Sequence, residues 1–210
     1  DSQMDGISVY RARENAGRAL AEQAPAEADL VVGVPDSAIP AAIGYAKASG
    51  IPFGEGLAKN RYVGRTFIQP KQSMREEGVK IKLNALRKNV QGKRLVLVDD
   101  SIVRGTTSRK IVEMLRSAGA REVHMRISSP PVVAPCYLGI DTPTSDQLVG
   151  ASHDVEGIRK MIGADSLAFL TLPELIKTVE GSACGFCHGC FDGQYPFDMD
   201  EARQYCPELK

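Results

Sequence analysis

Short apolar runs rich in β-branched residues alternate, between residues 29 and 128, with segments whose apolar positions recur at helical spacing. The apolar runs predict strands at 29–35, 51–57, 93–100 and 122–131. The helical spacing predicts helices at about 9–23, 37–49, 106–118, 154–162 and 173–180. All the strands except the second, which glycines interrupt, are nearly continuously apolar, as in a sheet covered on both faces. This alternation predicts an α/β fold with a mainly parallel sheet.

The same pattern predicts one domain over residues 1–181 and a Cys-rich, irregular tail over 182–210. Residues 59–84 are polar, basic and weakly periodic, so they form either a flexible functional loop or a small β-excursion. In the helix at 106–118, the hydroxyls of Thr106, Thr107 or Ser108 are expected to cap the start, and Gly119 to end it.

Composition excludes several classes of protein. The chain has 210 residues, of which 43% are apolar and 25% charged, which is typical of globular rather than disordered or fibrous proteins. Lys and Arg number 26, and Asp and Glu also 26, so the basic excess of most nucleic-acid-binding domains is absent. No apolar stretch approaches the roughly 18 residues that span a bilayer. The start, DSQMDG, lacks a signal-peptide pattern, and we expect a cytoplasmic protein.

The richest motif is LVLVDDSIVRGTTSRK, residues 95–110. A buried strand leads into two acids, and then a loop with hydroxyls and a glycine leads into a helix. Backbone amides from Ser101 to Thr107, with the hydroxyls of Ser101, Thr106 and Thr107, form a natural anion cradle at a helix start. The acid pair suits sugar hydroxyls or a hydrated Mg²⁺. The motif therefore predicts a phosphate site with a sugar or Mg²⁺ beside it.

VDDSIVRGTTS resembles the phosphoribosylpyrophosphate (PRPP) binding motif of type I phosphoribosyltransferases. Together with VVGVPDS and KNRYVGRTFIQP, it is similar to the glutamine PRPP amidotransferases, from Asp1 to about Pro196. The resemblance implies the type I phosphoribosyltransferase fold. It also implies that ammonia displaces pyrophosphate from PRPP to give 5-phosphoribosylamine in de novo purine biosynthesis.

The resemblance implies roles for the matched residues. The ribose 5-phosphate would be held by Thr106, Thr107 and the amides of Ser101, Ile102, Val103, Arg104 and Gly105. Asp36, Ser37, Lys59 and Arg61 would lie at the pyrophosphate, and Ser37, Asp99 and Asp100 would hold Mg²⁺. The catalytic residues would be Asp99, Asp100, Lys59 and Arg61, and Arg65 would add charge to the loop that closes over PRPP.

The resemblance also implies partners. Glutamine-dependent members carry an amino-terminal glutaminase domain that begins with a nucleophilic cysteine. This sequence has no such segment, so we expect it to use free ammonia and not glutamine. Family members are homo-oligomers inhibited by purine nucleotides.

Three of the five cysteines lie in CGFCHGC, at Cys184, Cys187 and Cys190, a spacing that indicates metal or cluster ligation before disulfides. The resemblance implies a [4Fe-4S] cluster held by Cys136, Cys187 and Cys190. Its fourth ligand would lie upstream of residue 1 or be Cys184. A zinc site of Cys136, Cys184, Cys187 and Cys190, or unligated thiols, remain alternatives. Cys206 matches no ligand position.

Two other functions share the PRPP motif. A nucleobase phosphoribosyltransferase would use a purine or pyrimidine as the nucleophile, but such an enzyme does not need the cysteines. A PRPP-sensing regulator would also bind nucleic acid, but the net charge of zero and the lack of a helix-turn-helix pattern oppose it.

Overall fold

The computed structural model describes residues 2–60, 83–140, 142, 144–182 and 184–198. Its strands are β1 (Gln3–Met4), β2 (Ile7–Ser8), β3 (Leu30–Gly33), β4 (Leu57–Lys59), β5 (Leu83–Ala85), β6 (Arg94–Asp99), β7 (Glu122–Ile127) and β8 (Ser166–Phe169). Its helices are α1 (Val9–Gln23), α2 (Ile39–Ser49), α3 (Arg87–Val90), α4 (Thr106–Ser117), α5 (Val149–Ser152), α6 (Val155–Ile162), α7 (Leu172–Lys177) and α8 (Gly189–Asp192). None of the described helices has the length and apolarity that crossing a membrane requires.

The central sheet has four parallel strands in the order β3-β6-β7-β8. Successive side chains of a strand point to opposite faces. Leu95 and Leu97 of β6 therefore belong to a core with α4 and α6, whereas Val96 and Val98 belong to a second core with α1 and α2. Helices cover both faces, which confirms the α/β class predicted from the apolar runs.

The predicted helices are found with boundary differences of three residues or fewer. The first coincides with α1, the second begins two residues later as α2, and the last ends at Lys177 rather than at residue 180. Strands are also found within the runs predicted at 29–35, 93–100 and 122–131. Periodicity is reliable here because each element buries one continuous apolar face or run.

The strand predicted at 51–57 is wrong. Within it, Phe53 alone makes a bridge, to Val31, before β4 begins at the last residue of the run. Gly56 packs directly on a side chain of β3, since a Cβ atom there would lie 2.7 Å from Val32 Cγ2. The glycines thus let this segment cross close to β3 instead of extending the sheet.

Several short elements escaped prediction. β8 forms an edge of the sheet, β1 and β2 form a hairpin before α1, and β4 pairs antiparallel with β5. The β4–β5 pairing joins the two ends of the segment 59–84, which favours the β-excursion over an unpaired loop. Residues 61–82, including Arg61 and Arg65, lie outside the described part of the chain.

The start of α4 differs from the prediction. Gly105, with φ of 75°, is the N-cap residue, and no side chain caps the helix. Ser108 is buried, so the predicted capping by Thr106, Thr107 or Ser108 is wrong. At the other end Gly119 has φ of 97° and donates to the Arg116 carbonyl, as predicted for the residue that ends the helix.

Helices α1 and α2 cross with almost no space between their backbones. A Cβ atom on Gly17 would lie 1.8 Å from the Ala41 carbonyl oxygen, and one on Gly44 would lie 1.9 Å from the Glu14 carbonyl oxygen. The two glycines therefore permit the crossing from opposite sides. Because α2 begins at Ile39, two residues after Ser37, this packing also fixes where the VPDS turn lies.

A buried arginine connects α1 to the sheet. Arg126 of β7 donates to the carbonyl oxygens of Ala24 and Pro25, just beyond the end of α1, and to Ser166 Oγ. Burial lowers the pKa of its guanidinium, with Tyr45 acting in the opposite direction. Carbonyl groups at a helix end carry partial negative charge and compensate this cation.

We expect Gly44→Ala to destabilise the fold. Alanine gains about 1 kcal/mol in helix propensity, but its methyl group collides with backbone, an overpacking that costs about 1–3 kcal/mol or more. Urea unfolding should therefore show a lower midpoint. Gly185→Ala is the control, because no atom of the described residues lies within 4 Å of a Cβ there, and its midpoint should be unchanged. Equal midpoints for the two variants would contradict the close crossing.

Candidate active site

Polar residues follow two neighbouring strands at the same edge of the sheet. Asp36 and Ser37 come just after β3, while Asp99 ends β6 and Asp100 follows it. Because β3 and β6 are parallel and adjacent, their carboxyl ends lie side by side. Ligands of open α/β sheets bind outside such strand ends.

Direct contacts connect these residues. Ser37 Oγ donates to Asp100 Oδ2 over 2.6 Å, although 63 positions separate them in the sequence. Lys59, the last residue of β4, forms an ion pair with Asp36. Three chain segments therefore place a hydroxyl, two carboxylates and an ammonium group together at one edge.

The two adjacent acids have different environments. Asp99 is buried, and its Oδ1 accepts from the Asp100 amide over 2.9 Å. Burial, followed by the charge of Asp100, raises the pKa of the Asp99 carboxyl well above its ordinary value. Asp100 is exposed and accepts from Ser101 N as well as from Ser37. Asp100 is therefore the acid that presents its carboxylate outward.

The loop after the acids leads from the end of β6 to the start of α4. No amide from Ile102 to Gly105 donates a hydrogen bond within the described part of the chain. The Ile102 side chain is buried, and Thr106 at the start of α4 is exposed. This loop can offer several amides and a hydroxyl to one anion.

A second segment of the chain, which contains Gln147 and Val149, forms hydrogen bonds with the loop. Gln147 Oε1 accepts from Arg104 Nε and Nη2 over 3.1 and 2.9 Å, and Val149 N donates to the Val103 carbonyl over 2.9 Å. Gln147 was not among the predicted site residues. No local pattern singles it out, because its contact is made across 43 positions of the chain.

An apolar cavity of about 300 Å³ adjoins Asp100. It lies between the β1–β2 hairpin, α1 and the end of α7. Its lining residues are Met4, Ile7, Val9, Ala12, Arg13, Ala16, Asp100, Ser128, Leu175, Thr178, Val179 and Phe186.

The described cysteines lie in two chain segments, at Cys136 and from Cys184 to Cys190. The Cys190 carbonyl accepts from Val133 N and Ala134 N, which holds α8 against the chain just before Cys136. Burial raises the pKa of the Cys190 thiol, and the charges of Cys136 and then Cys187 raise it further. Cys184 is exposed, with Ser182 Oγ 4.0 Å from its sulfur. Among the described residues, no three His, Cys, Asp or Glu side chains form a site for a single metal ion.

Comparison with known proteins assigns the family. The phosphoribosyl transferase domain family matches residues 7–128, more than half of the chain. The chain belongs to this family. The matched part of this phosphoribosyl transferase domain runs from β2 to the end of β7 and contains the whole edge described above.

Individual relatives are more similar still. Amidophosphoribosyltransferase of Bacillus subtilis is 59% identical over 95% of this chain and 43% of its own length. The Archaeoglobus fulgidus amidophosphoribosyltransferase is 59% identical over 95% of the chain and 44% of its own length. A solved structure of glutamine PRPP amidotransferase from B. subtilis, with ADP and GMP, superposes with a TM-score of 0.83 at 59% identity, covering 94% of this chain and 44% of that one. The phosphoribosyl transferase domain described here thus spans less than half the length of these relatives, and its predicted type I phosphoribosyltransferase fold is confirmed.

We expect the ionisation of Asp99 to destabilise the folded chain. Its carboxyl has a raised pKa when folded, so between the unfolded pKa of about 3.9 and the folded value the native state binds more protons. Stability contributed by the protonated group is therefore lost as pH rises through that interval. Asp99→Asn retains an acceptor for the Asp100 amide but cannot ionise.

The melting temperature of Asp99→Asn, relative to the unchanged chain, should rise by at least about 2 °C between pH 4 and pH 7, or about 1 kcal/mol. The scans are run with EDTA so that no cation contributes. The exposed Glu22→Gln is the control and should show no such trend. A constant difference for Asp99→Asn would contradict the burial argument.

Proposed function

We propose that the chain transfers the 5-phosphoribosyl group of PRPP to ammonia, releasing pyrophosphate and forming 5-phosphoribosylamine for purine biosynthesis. The observation that carries this proposal is the Ser37–Asp100 contact at the mouth of the amide-rich loop. This contact places the VPDS turn, which we propose binds the pyrophosphate, beside the loop that we propose binds the 5-phosphate. The similarity to relatives named amidophosphoribosyltransferase supports the choice of reaction.

In this proposal the loop binds the ribose 5-phosphate. The amides of Ile102 to Gly105 and the hydroxyls of Thr106 and Thr107 donate to it, and the helix dipole of α4 favours the negative charge. The Ser101 amide instead donates to Asp100. Gln147 accepts two hydrogen bonds from the Arg104 guanidinium, which restrains the loop.

The pyrophosphate group lies at the VPDS turn. Asp36 and Ser37 border it, and Lys59 supplies a cation beside them. Arg61 adds a guanidinium suited to bidentate phosphate binding, although it lies outside the described residues. Release of Lys59 from Asp36 would free its ammonium group for the leaving pyrophosphate.

The oxygen atoms at this edge fit Mg²⁺. Ser37 Oγ and the exposed Asp100 carboxylate already share a hydrogen bond, and hard oxygen ligands are those that Mg²⁺ prefers. Asp99 is buried, so Asp100 and Ser37 are the residues that would hold the ion directly, with Asp99 behind them. When bound, Mg²⁺ would neutralise part of the pyrophosphate charge.

The reaction depends more on how the protein positions the reactants than on acid–base catalysis. The nitrogen of ammonia forms a bond to C1 of the ribose as the bond from C1 to pyrophosphate breaks, and the nitrogen loses a proton. A single displacement inverts the configuration at C1. The loop, the VPDS turn and Asp100 hold the two ends of PRPP so that C1 is presented to the nucleophile.

The cavity beside Asp100 supports ammonia as the nucleophile. A nucleobase needs several hydrogen-bonding groups arranged around its edge, whereas the cavity is mostly aliphatic. A small uncharged nucleophile requires no such set. Purine nucleotides, which carry a 5′-phosphate like that of PRPP, would compete for the same loop. ADP and GMP are present in the solved relative. Homo-oligomeric assembly and a cytoplasmic location remain predictions.

The test is pyrophosphate release from PRPP and Mg²⁺, measured in parallel with ammonium, glutamine, adenine, guanine and hypoxanthine. We expect release with ammonium alone. Asp100→Asn should lower it by about 100-fold, because misplacement of a reactant has an effect of that size. Glu22→Gln is the matched control on an exposed site.

Release with a base but not with ammonium would replace the proposal by a nucleobase phosphoribosyltransferase. PRPP binding without release by any nucleophile, together with a gel shift of purine-operon DNA, would indicate the regulator.

We further propose that Cys136, Cys187 and Cys190 hold a [4Fe-4S] cluster. The hydrogen bonds from Val133 N and Ala134 N to the Cys190 carbonyl support this set, because they bring the tail next to the segment that leads to Cys136. The fourth ligand is an upstream cysteine or Cys184. Zinc is the alternative occupant. The cysteines lie on other segments than the PRPP residues, so the cluster's role would be structural or regulatory.

Anaerobic reconstitution with iron and sulfide separates these cysteines. We expect Cys187→Ser and Cys190→Ser to lose iron, sulfide and the brown absorbance near 400 nm, and Cys184→Ser to retain them. Retention in Cys187→Ser would exclude it as a ligand. Loss in Cys184→Ser would instead make Cys184 the fourth ligand, and zinc without sulfide would favour the alternative occupant.

A further inference from the structure

Tyr195 bridges the two chain segments that carry Cys136 and Cys190. It belongs to the tail and lies three residues after the end of α8. Its contacts fall on the residues immediately next to Cys136 on one side and next to Cys190 on the other.

The contact with the Cys136 segment is both polar and aromatic. Tyr195 Oη donates to the Pro135 carbonyl oxygen over 2.5 Å. The rings of Tyr195 and Tyr137 meet with centroids 5.0 Å apart at 56°. Tyr195 thus contacts both the residue before Cys136 and the residue after it.

The contact with the Cys190 segment is close packing. A Cβ atom on Gly189 would lie 2.5 Å from Tyr195 Cδ1, so the ring lies directly on the glycine backbone. Gly189 is buried there, one residue before Cys190. Glycine at this position lets the ring approach the first turn of α8.

We infer that Tyr195 is a positioning residue that holds Cys190 against Cys136, so that the thiols are assembled before a soft metal ion or an iron-sulfur cluster binds. The metal or cluster site that Tyr195 would support rests on the cysteine set proposed above. The positioning itself concerns only protein atoms and can be measured without metal. Side chains that orient metal ligands typically change metal affinity by about 10–100-fold when replaced.

The metal-free test uses phenylarsine oxide, which condenses with two neighbouring thiols to form two As–S bonds and release one water. It is titrated into a chain whose Cys184, Cys187 and Cys206 are serine, which leaves Cys136 and Cys190 as the thiols that it can bridge. Tyr195→Leu in this background should weaken arsenical binding at least about tenfold. Tyr195→Phe, which keeps the ring and loses the hydroxyl, should weaken it less.

Controls separate positioning from unfolding. Tyr10→Leu removes an exposed tyrosine of α1 and should bind the arsenical like the parent chain. Gly189→Ala keeps the tyrosine in the sequence, but its methyl group would displace the Tyr195 ring. This variant should therefore lose arsenical binding to the same extent as Tyr195→Leu. Cooperative thermal unfolding of each variant verifies that the domain is folded.

The second readout is the iron and sulfide retained after anaerobic reconstitution of the chain with all its cysteines. Tyr195→Leu should retain at most about a tenth of the parent's content. Parental arsenical binding in both folded Tyr195→Leu and Gly189→Ala would overturn the inference. Strong arsenical binding by the parent chain without any iron uptake would instead refute the proposed cluster and leave the positioning role intact.

Discussion

In the parallel pairing of β3 with β6, Gly33 lies opposite Val98, so both strands leave the sheet at the same level and the same edge. The VPDS turn and the acid pair follow directly, and Ser37 meets Asp100 there. The pairing is held by apolar contacts on both faces, with α1 and α2 on one side and α4 and α6 on the other. The close crossing at Gly17 and Gly44 extends this constraint to α2, which begins just after Ser37. The candidate site is thus a consequence of how the core is packed.

The two acids at that edge differ electrostatically because they are buried to different depths. Asp99 is the last residue of a buried strand and remains inside the protein, where ionisation is disfavoured. Asp100 is one residue further on and reaches the surface. Two chemically identical neighbours are therefore suited to different tasks, one supporting the strand end and the other presenting a carboxylate to a sugar or a cation. Next to this carboxylate lies a loop whose amides from Ile102 to Gly105 donate no hydrogen bond within the described part of the chain, an arrangement suited to the proposed ligand.

The segments that carry Cys136 and Cys190 have supports of their own. β7 ends at Ile127, and the following Ser128 amide donates to the Asp99 carbonyl before the chain continues toward Cys136. Backbone hydrogen bonds to the Cys190 carbonyl and the side chain of Tyr195 connect the tail to this segment. Packing and hydrogen bonds thus hold the tail around Cys190 against the segment that contains Cys136.

The sequence by itself determined the elements with continuous apolar faces, the acid pair and the glycine-containing loop after β6, because each of these depends on residues close together in the chain. It also carried the family resemblance through three separate motifs. It misjudged the segment 51–57 and the capping of α4, where glycines make close approaches or take a positive φ that apolar patterning does not record. Only the tertiary structure decided that Ser37 contacts Asp100, that Gln147 holds Arg104 and that Tyr195 bridges the cysteine segments. These contacts join residues 63, 43 and 60 positions apart, and such distances are closed by the packing of the whole domain and not by any local preference.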